Sequence, residues 1–215
     1  MKIGVFGTGT VGNTIATKLA KLGHEVKMGS RTAGNAKAAE WVKASGAKAS
    51  QGTFAEAAAF GELLFNCTSG VGALAALELA GKKNIGGKIL VDVSNPLDFS
   101  KGMPPSLTVC NTDSLAEQIQ RAFPEAKVVK ALNTMNANLM VDPSLLKGDH
   151  DVFVCGNDAD AKAQVTELLK GGFGWKHVVD VGDLTAARGQ EMFVIFWVRL
   201  FSAGGSPMFN VHVVR

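Results

Sequence analysis

The 215-residue sequence contains no tyrosine, so a proton donor of the Ser-x-x-x-Tyr type cannot exist in it. It has three cysteines, Cys67, Cys110 and Cys155, too far apart for metal-type pairs. Two of them, Cys67 and Cys155, fall in apolar runs, where a small buried hydrophobe is the expected role and a reducing compartment suits them. No apolar run reaches membrane-spanning length, and no basic leader with a hydrophobic signal core precedes the first strand pattern. A cytoplasmic protein with no membrane partner is the expectation. The formal net charge is only +3, with scattered Lys and Arg, which leaves no electrostatic footprint for nucleic acid. One further absence is local: no acidic residue occurs between Glu25 and Glu40.

With 47% hydrophobic residues the chain can bury a substantial core. One domain over 1–215 is expected, with a nucleotide-binding core over 1–180 and a C-terminal helix and tail over 181–215 packed on it. Short β-branched runs alternate with helical stretches: "KIGVFG", "HEVKMG", "AKAS", "ELLFNCT", "KILVDVS", "KVVKALN", "DVFVCG" and "KHVVDVG". Several are continuously apolar, as in strands covered on both faces, which predicts a doubly wound Rossmann-type α/β fold with a mainly parallel sheet. Val11, Ile15, Leu19 and Leu22 line one helical face, and Gly23 supplies the stop. The third unit, "AKAS" before "TFAEAAAF", is a weak strand. The irregular piece from Ser94 to Asn111 carries three prolines and has the length of a functional loop. From Leu184 a helix is expected whose part from Met192 to Val198 is apolar on all sides. Burial within one chain and burial in a homodimer both account for it.

The stretch "GTGTVG" leaves the first strand and opens the first helix. Gly7 would make the tight turn, Gly9 would admit a pyrophosphate, and Gly12 would let helix and strand pack closely. Thr8, Thr10 and Val11 lie between them, and helix amides face the anion. About 20 residues on, a carboxylate would accept the adenosine ribose hydroxyls and repel a 2′-phosphate. Here Gly29 leaves room, Ser30 and Thr32 offer hydroxyls, and Arg31 can grip phosphate oxygens in a planar fork. The site reads as one for NADP.

"MKIGVFGTGTVGNTIATKLAKLGHEVKMGSRT", "SNPLD", "KVVKALNTMNA" and "VFVCGNDADAK", in that order, resemble the F420-dependent NADP oxidoreductase family, whose fold also occurs as the cytoplasmic domain of the STEAP ferric reductases. The resemblance implies NADP across the switch point of the sheet and a deazaflavin or flavin ring against the nicotinamide. It implies Thr8, Thr10 and Val11 along the pyrophosphate, Ser30, Arg31 and Thr32 at the 2′-phosphate, and Thr68 and Ser69 beside the nicotinamide ribose. Asn95, Pro96, Asn133, Thr134, Met135 and Ala137 would surround the reacting rings. At Asn133 the archaeal F420 enzymes carry histidine and the ferric reductases asparagine, so the second site is open to F420, FMN or FAD, or a small carbonyl compound.

Direct hydride transfer between two cofactors needs alignment and exclusion of water, and no catalytic acid or base is assigned. The histidines His24, His150, His177 and His212 fall near strand starts, loops or the chain end, where surface or capping roles are expected. In the fifth strand Asp92 reads as a structural acceptor near the switch point. For Lys130 in the sixth, two orientations stand, toward an edge or toward cofactor phosphates. Three functions fit: NADP(H) oxidoreductase with F420 or a flavin, NADPH-dependent reductase of a carbonyl or imine, and non-catalytic NADP(H) sensor. They differ in whether a ring-sized cleft lies open between "SNPLDF" and "LNTMNA".

Overall fold

The computed structural model describes residues 1–215, and strands and helices largely alternate from Lys2 to Gly204. Their order is β1 (Lys2–Phe6), α1 (Thr10–Lys21), β2 (Glu25–Ser30), α2 (Ala36–Ser45), β3 (Ala49–Thr53), α3 (Phe54–Phe60), β4 (Leu63–Asn66), α4 (Gly70–Ala80), α5 (Lys82–Ile85) and β5 (Ile89–Asp92). There follow β6 (Leu97–Asp98), β7 (Ser106–Leu107), α6 (Leu115–Ala122), β8 (Lys127–Ala131), α7 (Ala137–Val141), β9 (Asp151–Gly156), α8 (Ala159–Glu167), β10 (His177–Asp180) and α9 (Ala187–Gly204). Eight strands form one sheet in the order β10-β9-β8-β5-β4-β1-β2-β3, and β6 and β7 form a separate hairpin.

The strand sequences explain this layering. Every residue of β4 and β5 is buried, and helices cover both faces of the sheet with cores of 29 and 20 buried residues. On α1, Gly12, Ile15, Ala16 and Leu19 are buried. Leu22, expected on the same face, is the C-cap and is 40% exposed; Gly23 then turns away at φ +91°. The weak third unit sits slightly later than "AKAS". Its helix α3 starts with a capping box in which Thr53 and Glu56 satisfy each other's amides.

In the main sheet all pairings are parallel except β8–β9. The link after β8 contains only the five-residue α7 and a 3-10 turn, Pro143–Leu145, too little helix to cross the sheet, so β9 returns alongside β8. The chain runs outward from β1 through β2 to β3 and then resumes at β4 on the other side of β1. The crevice of this switch point lies between the carboxyl ends of β1 and β4.

Within this chain only one face of α9 is buried. Gln190 and Glu191 are buried along with Val194 and Val198, whereas Met192, Phe196 and Leu200 are 38%, 56% and 36% exposed. No helix is long and apolar enough to cross a membrane.

Candidate functional site

Two cavities meet at the switch point. The first, of about 770 Å³, is lined by Gly7, Thr8 and Gly9 after β1, by Ser30, Arg31 and Thr32 at the end of β2, and by Cys67, Thr68 and Ser69 after β4. The glycines are needed for steric reasons. Gly7 has φ +111°, and a Cβ there would lie 2.7 Å from the Cys67 carbonyl oxygen. At Gly12 a Cβ would come within 2.1 Å of the Gly7 oxygen, whereas at Gly9 it would meet nothing within 4 Å. The turn is therefore closed against the protein and open toward the cavity. Gly9 caps α1 and Ser69 caps α4, neither with a side-chain hydrogen bond, and neither helix has an acidic first turn. Two helix amino ends thus offer unpaired amides and positive potential.

At the far end, Arg31 is exposed, and the arginine ion pairs of the chain use Arg121 and Arg188 and leave Arg31 free. Ser30 is buried, and its hydroxyl donates to the Thr32 carbonyl at 2.7 Å. Its proton is used inside the loop, so the donors presented to a ligand are Arg31, Thr32 and the backbone. Asn35 lines the same cavity while capping α2 through the Ala38 amide, a helix-start signal that could have been read from the sequence.

The second cavity, of about 480 Å³, shares Cys67, Thr68 and Ser69 with the first and is bounded by Val11, Val93, Ser94, Asn95, Leu97, Phe99, Asn133, Met135 and Met140, with Val194 and Trp197 of α9. Asn133 follows Leu132, which takes φ +67°, a strained conformation for a bulky residue that is typical of functional turns. The Asn133 amide nitrogen donates to Asn95 Oδ1 at 2.9 Å and to the Gln190 carbonyl at 3.1 Å, and Asn95 Nδ2 donates back to the Asn133 carbonyl at 2.8 Å. This lattice joins the "SNPLD" and "LNTMNA" segments and fixes the cleft wall.

Of the remaining sequence candidates, Thr10, Gly12, Pro96, Thr134 and Ala137 do not line either cavity. Gly12, Pro96 and Thr134 are buried behind the walls. Sequence reasoning missed Val194 and Trp197, which arrive from a helix some sixty residues downstream with no local signal. It also left Lys130 between two orientations, and the structure shows neither. Lys130 is fully buried and donates to Asp92 Oδ2 at 2.7 Å and Glu191 Oε1 at 2.7 Å. Burial alone would lower its pKa, but the charges and hydrogen bonds of Asp92 and Glu191 prevail and hold it above the ordinary lysine value. Asp92 has the structural role expected of it.

Cys67, the titratable residue that lines the second cavity, is not set up as an acid or base. Burial, reinforced by Asp92, pushes the Cys67 thiol well up, and it stays protonated. His150 bonds Pro143 and Asn210, and His212 bonds Asp151, at the far edge of the sheet.

The sequence family described as "NADP oxidoreductase coenzyme F420-dependent" matches residues 2–96. Metalloreductase STEAP3 of Rattus norvegicus is 33% identical over 193 residues, which are 88% of this chain and 36% of that protein, so the chain spans about a third of its length. The F420-dependent NADP reductase of Methanothermobacter marburgensis is 31% identical over 199 residues, 87% of each chain. A crystal structure from Arthrobacter sp. FB24, provisionally named an F420-dependent NADP reductase, matches with TM-score 0.95 and 54% identity over 100% of both chains. The chain belongs to the F420-dependent NADP oxidoreductase family.

Proposed function

We propose that this protein is an NADP(H)-dependent oxidoreductase that passes a hydride directly between NADP(H) and a second redox cofactor, F420 or a flavin. The observation that carries the reading is the pair of joined cavities, one ending at a free guanidinium with no nearby acid and the other ring-sized and open. When bound, the dinucleotide supplies the hydride. Thr8, Gly9 and the amide ends of α1 and α4 hold the pyrophosphate, and Arg31 and Thr32 hold the 2′-phosphate. Thr68 and Ser69 face the second ribose. Asn95 and Asn133 set the cleft wall, and Val93, Leu97, Met135, Met140, Val194 and Trp197 exclude water from the reacting rings.

A reductase of free carbonyls or imines would need a proton donor at the product atom, and the cleft side chains are amides, hydroxyls, apolar groups and a protonated thiol. A sensor would have its ring space filled. The direct test mixes the protein with NADPH and, in turn, F420, FMN and FAD, following the absorbance of reduced nicotinamide. Turnover with one of the three is expected; none with any of them overturns the reading.

The same reading includes a cytoplasmic location, which three unpaired thiols suit, and a homodimer formed through α9. The exposed Met192, Phe196 and Leu200 recur every fourth residue and form an apolar stripe suited to a second copy. Sedimentation velocity should give a dimer for the wild type and a monomer for Phe196→Glu. A monomeric wild type would remove the dimer from the proposal.

A further inference from the structure

A buried chain of polar groups runs from α9 to the floor of the cofactor crevice, and its hydrogen-bond directions are dictated end to end. Glu191 accepts the amides of Leu115 at 2.8 Å and Ala116 at 3.1 Å, at the start of α6, as well as Lys130 Nζ. The three ammonium protons of Lys130 go to Glu191, to Asp92 Oδ2 and to the Ser94 carbonyl, the last at 2.5 Å. On its other oxygen Asp92 receives Ser94 Oγ at 2.7 Å and Asn66 Nδ2 at 2.8 Å.

A carboxylate paired with an ammonium can only accept, so Asn66 must turn its NH₂ toward Asp92 and its carbonyl oxygen toward Thr68. Thr68 Oγ1 donates to that oxygen at 2.7 Å. Its single proton is committed, and what it presents to the two cavities it lines is lone pairs. Asn133 is oriented by the same logic: its NH₂ is used by Asn95 and Gln190, and Oδ1 is left without a donor.

We propose that Asn66, held by the Glu191–Lys130–Asp92 triad, is a positioning residue that makes Thr68 a hydrogen-bond acceptor toward the dinucleotide, selecting a ribose hydroxyl or a carboxamide N–H there and rejecting a carbonyl or phosphate oxygen. The inference rests on the oxidoreductase reading above. It gives the α9 segment a part in cofactor recognition although neither Glu191 nor Lys130 lines the crevice. It also explains why two carboxylates and an ammonium occupy the interior beside a ligand they do not touch. Buried polar networks fix one arrangement of donors and acceptors.

The test is a double-mutant cycle on the full chain, with NADPH affinity read by fluorescence titration. Thr68→Val is expected to bind about fivefold more weakly, the size of one lost neutral hydrogen bond. Thr68→Ser should bind as the wild type does. Asn66→Ala should weaken binding about threefold alone and add nothing in the Thr68→Val background, because its effect passes through that hydroxyl. Should Asn66→Ala fail to fold, Asn66→Ser, which can reach only one of the two neighbours, takes its place in the cycle. An NADP analogue with an acetyl group in place of the carboxamide separates the two donors. If Thr68→Val leaves its affinity unchanged, the carboxamide N–H is the partner, and if Thr68→Val weakens it equally, the ribose hydroxyl is. The inference is overturned by Thr68→Val binding as tightly as wild type, or by Asn66→Ala costing the same in both backgrounds. A wild-type protein that binds no NADPH would instead overturn the oxidoreductase reading and this inference with it.

Discussion

Arg31→Ala is expected to weaken NADPH binding by about ten- to a hundredfold and leave NADH binding nearly unchanged, because a charge-assisted hydrogen bond contributes about 1.5 to 3 kcal/mol. The asymmetry follows from position. Arg31 follows the carboxyl end of β2, at the rim of the larger cavity, where the adenosine ribose of a dinucleotide lies in this class of sheet. A 2′-phosphate has oxygens for a guanidinium fork, and a bare hydroxyl does not. Ser30 cannot take over, since its hydroxyl is bonded to the Thr32 carbonyl. Arg31→Lys should recover only part of the loss, a point charge replacing a bidentate grip. Isothermal titration with both coenzymes measures the difference. Equal affinity of wild type for the two would refute the 2′-phosphate assignment and with it the NADP preference.

The sheet, the glycine turn and the candidate phosphate end were legible in the sequence because their signals are local. An apolar strand, a Gly-x-Gly-x-x-Gly turn and a helical face each fit within about twenty residues. The capping box of α3 is equally local, with Thr53 three residues before Glu56. The ring end was less legible, since its walls are assembled from distant segments. Trp197 and Val194 come to Asn133 by the docking of α9, and the direction of β9 depends on a link too short to cross. Helix α9 was legible only in part. Its apolar run from Met192 to Val198 fits burial within one chain or against a second copy, and within the chain the structure buries Gln190 and Glu191 beside Val194 and Val198 and leaves Phe196 outside. Hydrophobicity cannot anticipate this, because the partner of Glu191 is an ammonium on a strand sixty residues earlier.

Lys130→Met is expected to cost about 3 to 5 kcal/mol of stability, the usual penalty when one member of a buried ion cluster is removed. Methionine fills a similar volume but leaves Asp92 and Glu191, 0% and 1% exposed, as unpaired carboxylates that had shared one ammonium. For a chain of this size the midpoint of thermal unfolding should fall by on the order of 10 °C. The pH dependence identifies the cause. In the wild type the pKa of Lys130 is raised, so its contribution is fully present below the ordinary lysine value and is lost only as pH rises through the higher folded value. At neutral pH the triad therefore acts at full strength. In Lys130→Met the stranded carboxylates favour protonation in the folded state, so the deficit relative to wild type should shrink as pH falls from 7 toward 5. Adding Glu191→Gln to Lys130→Met should recover part of the loss at pH 7, because one of the two unpaired charges is gone while the amide oxygen can still accept one of the two α6 amides that Glu191 holds. Thermal melts of wild type, Lys130→Met and the double variant across this pH range read all three effects. A deficit independent of pH would mean that lost packing, rather than unpaired charge, is what the substitution exposes.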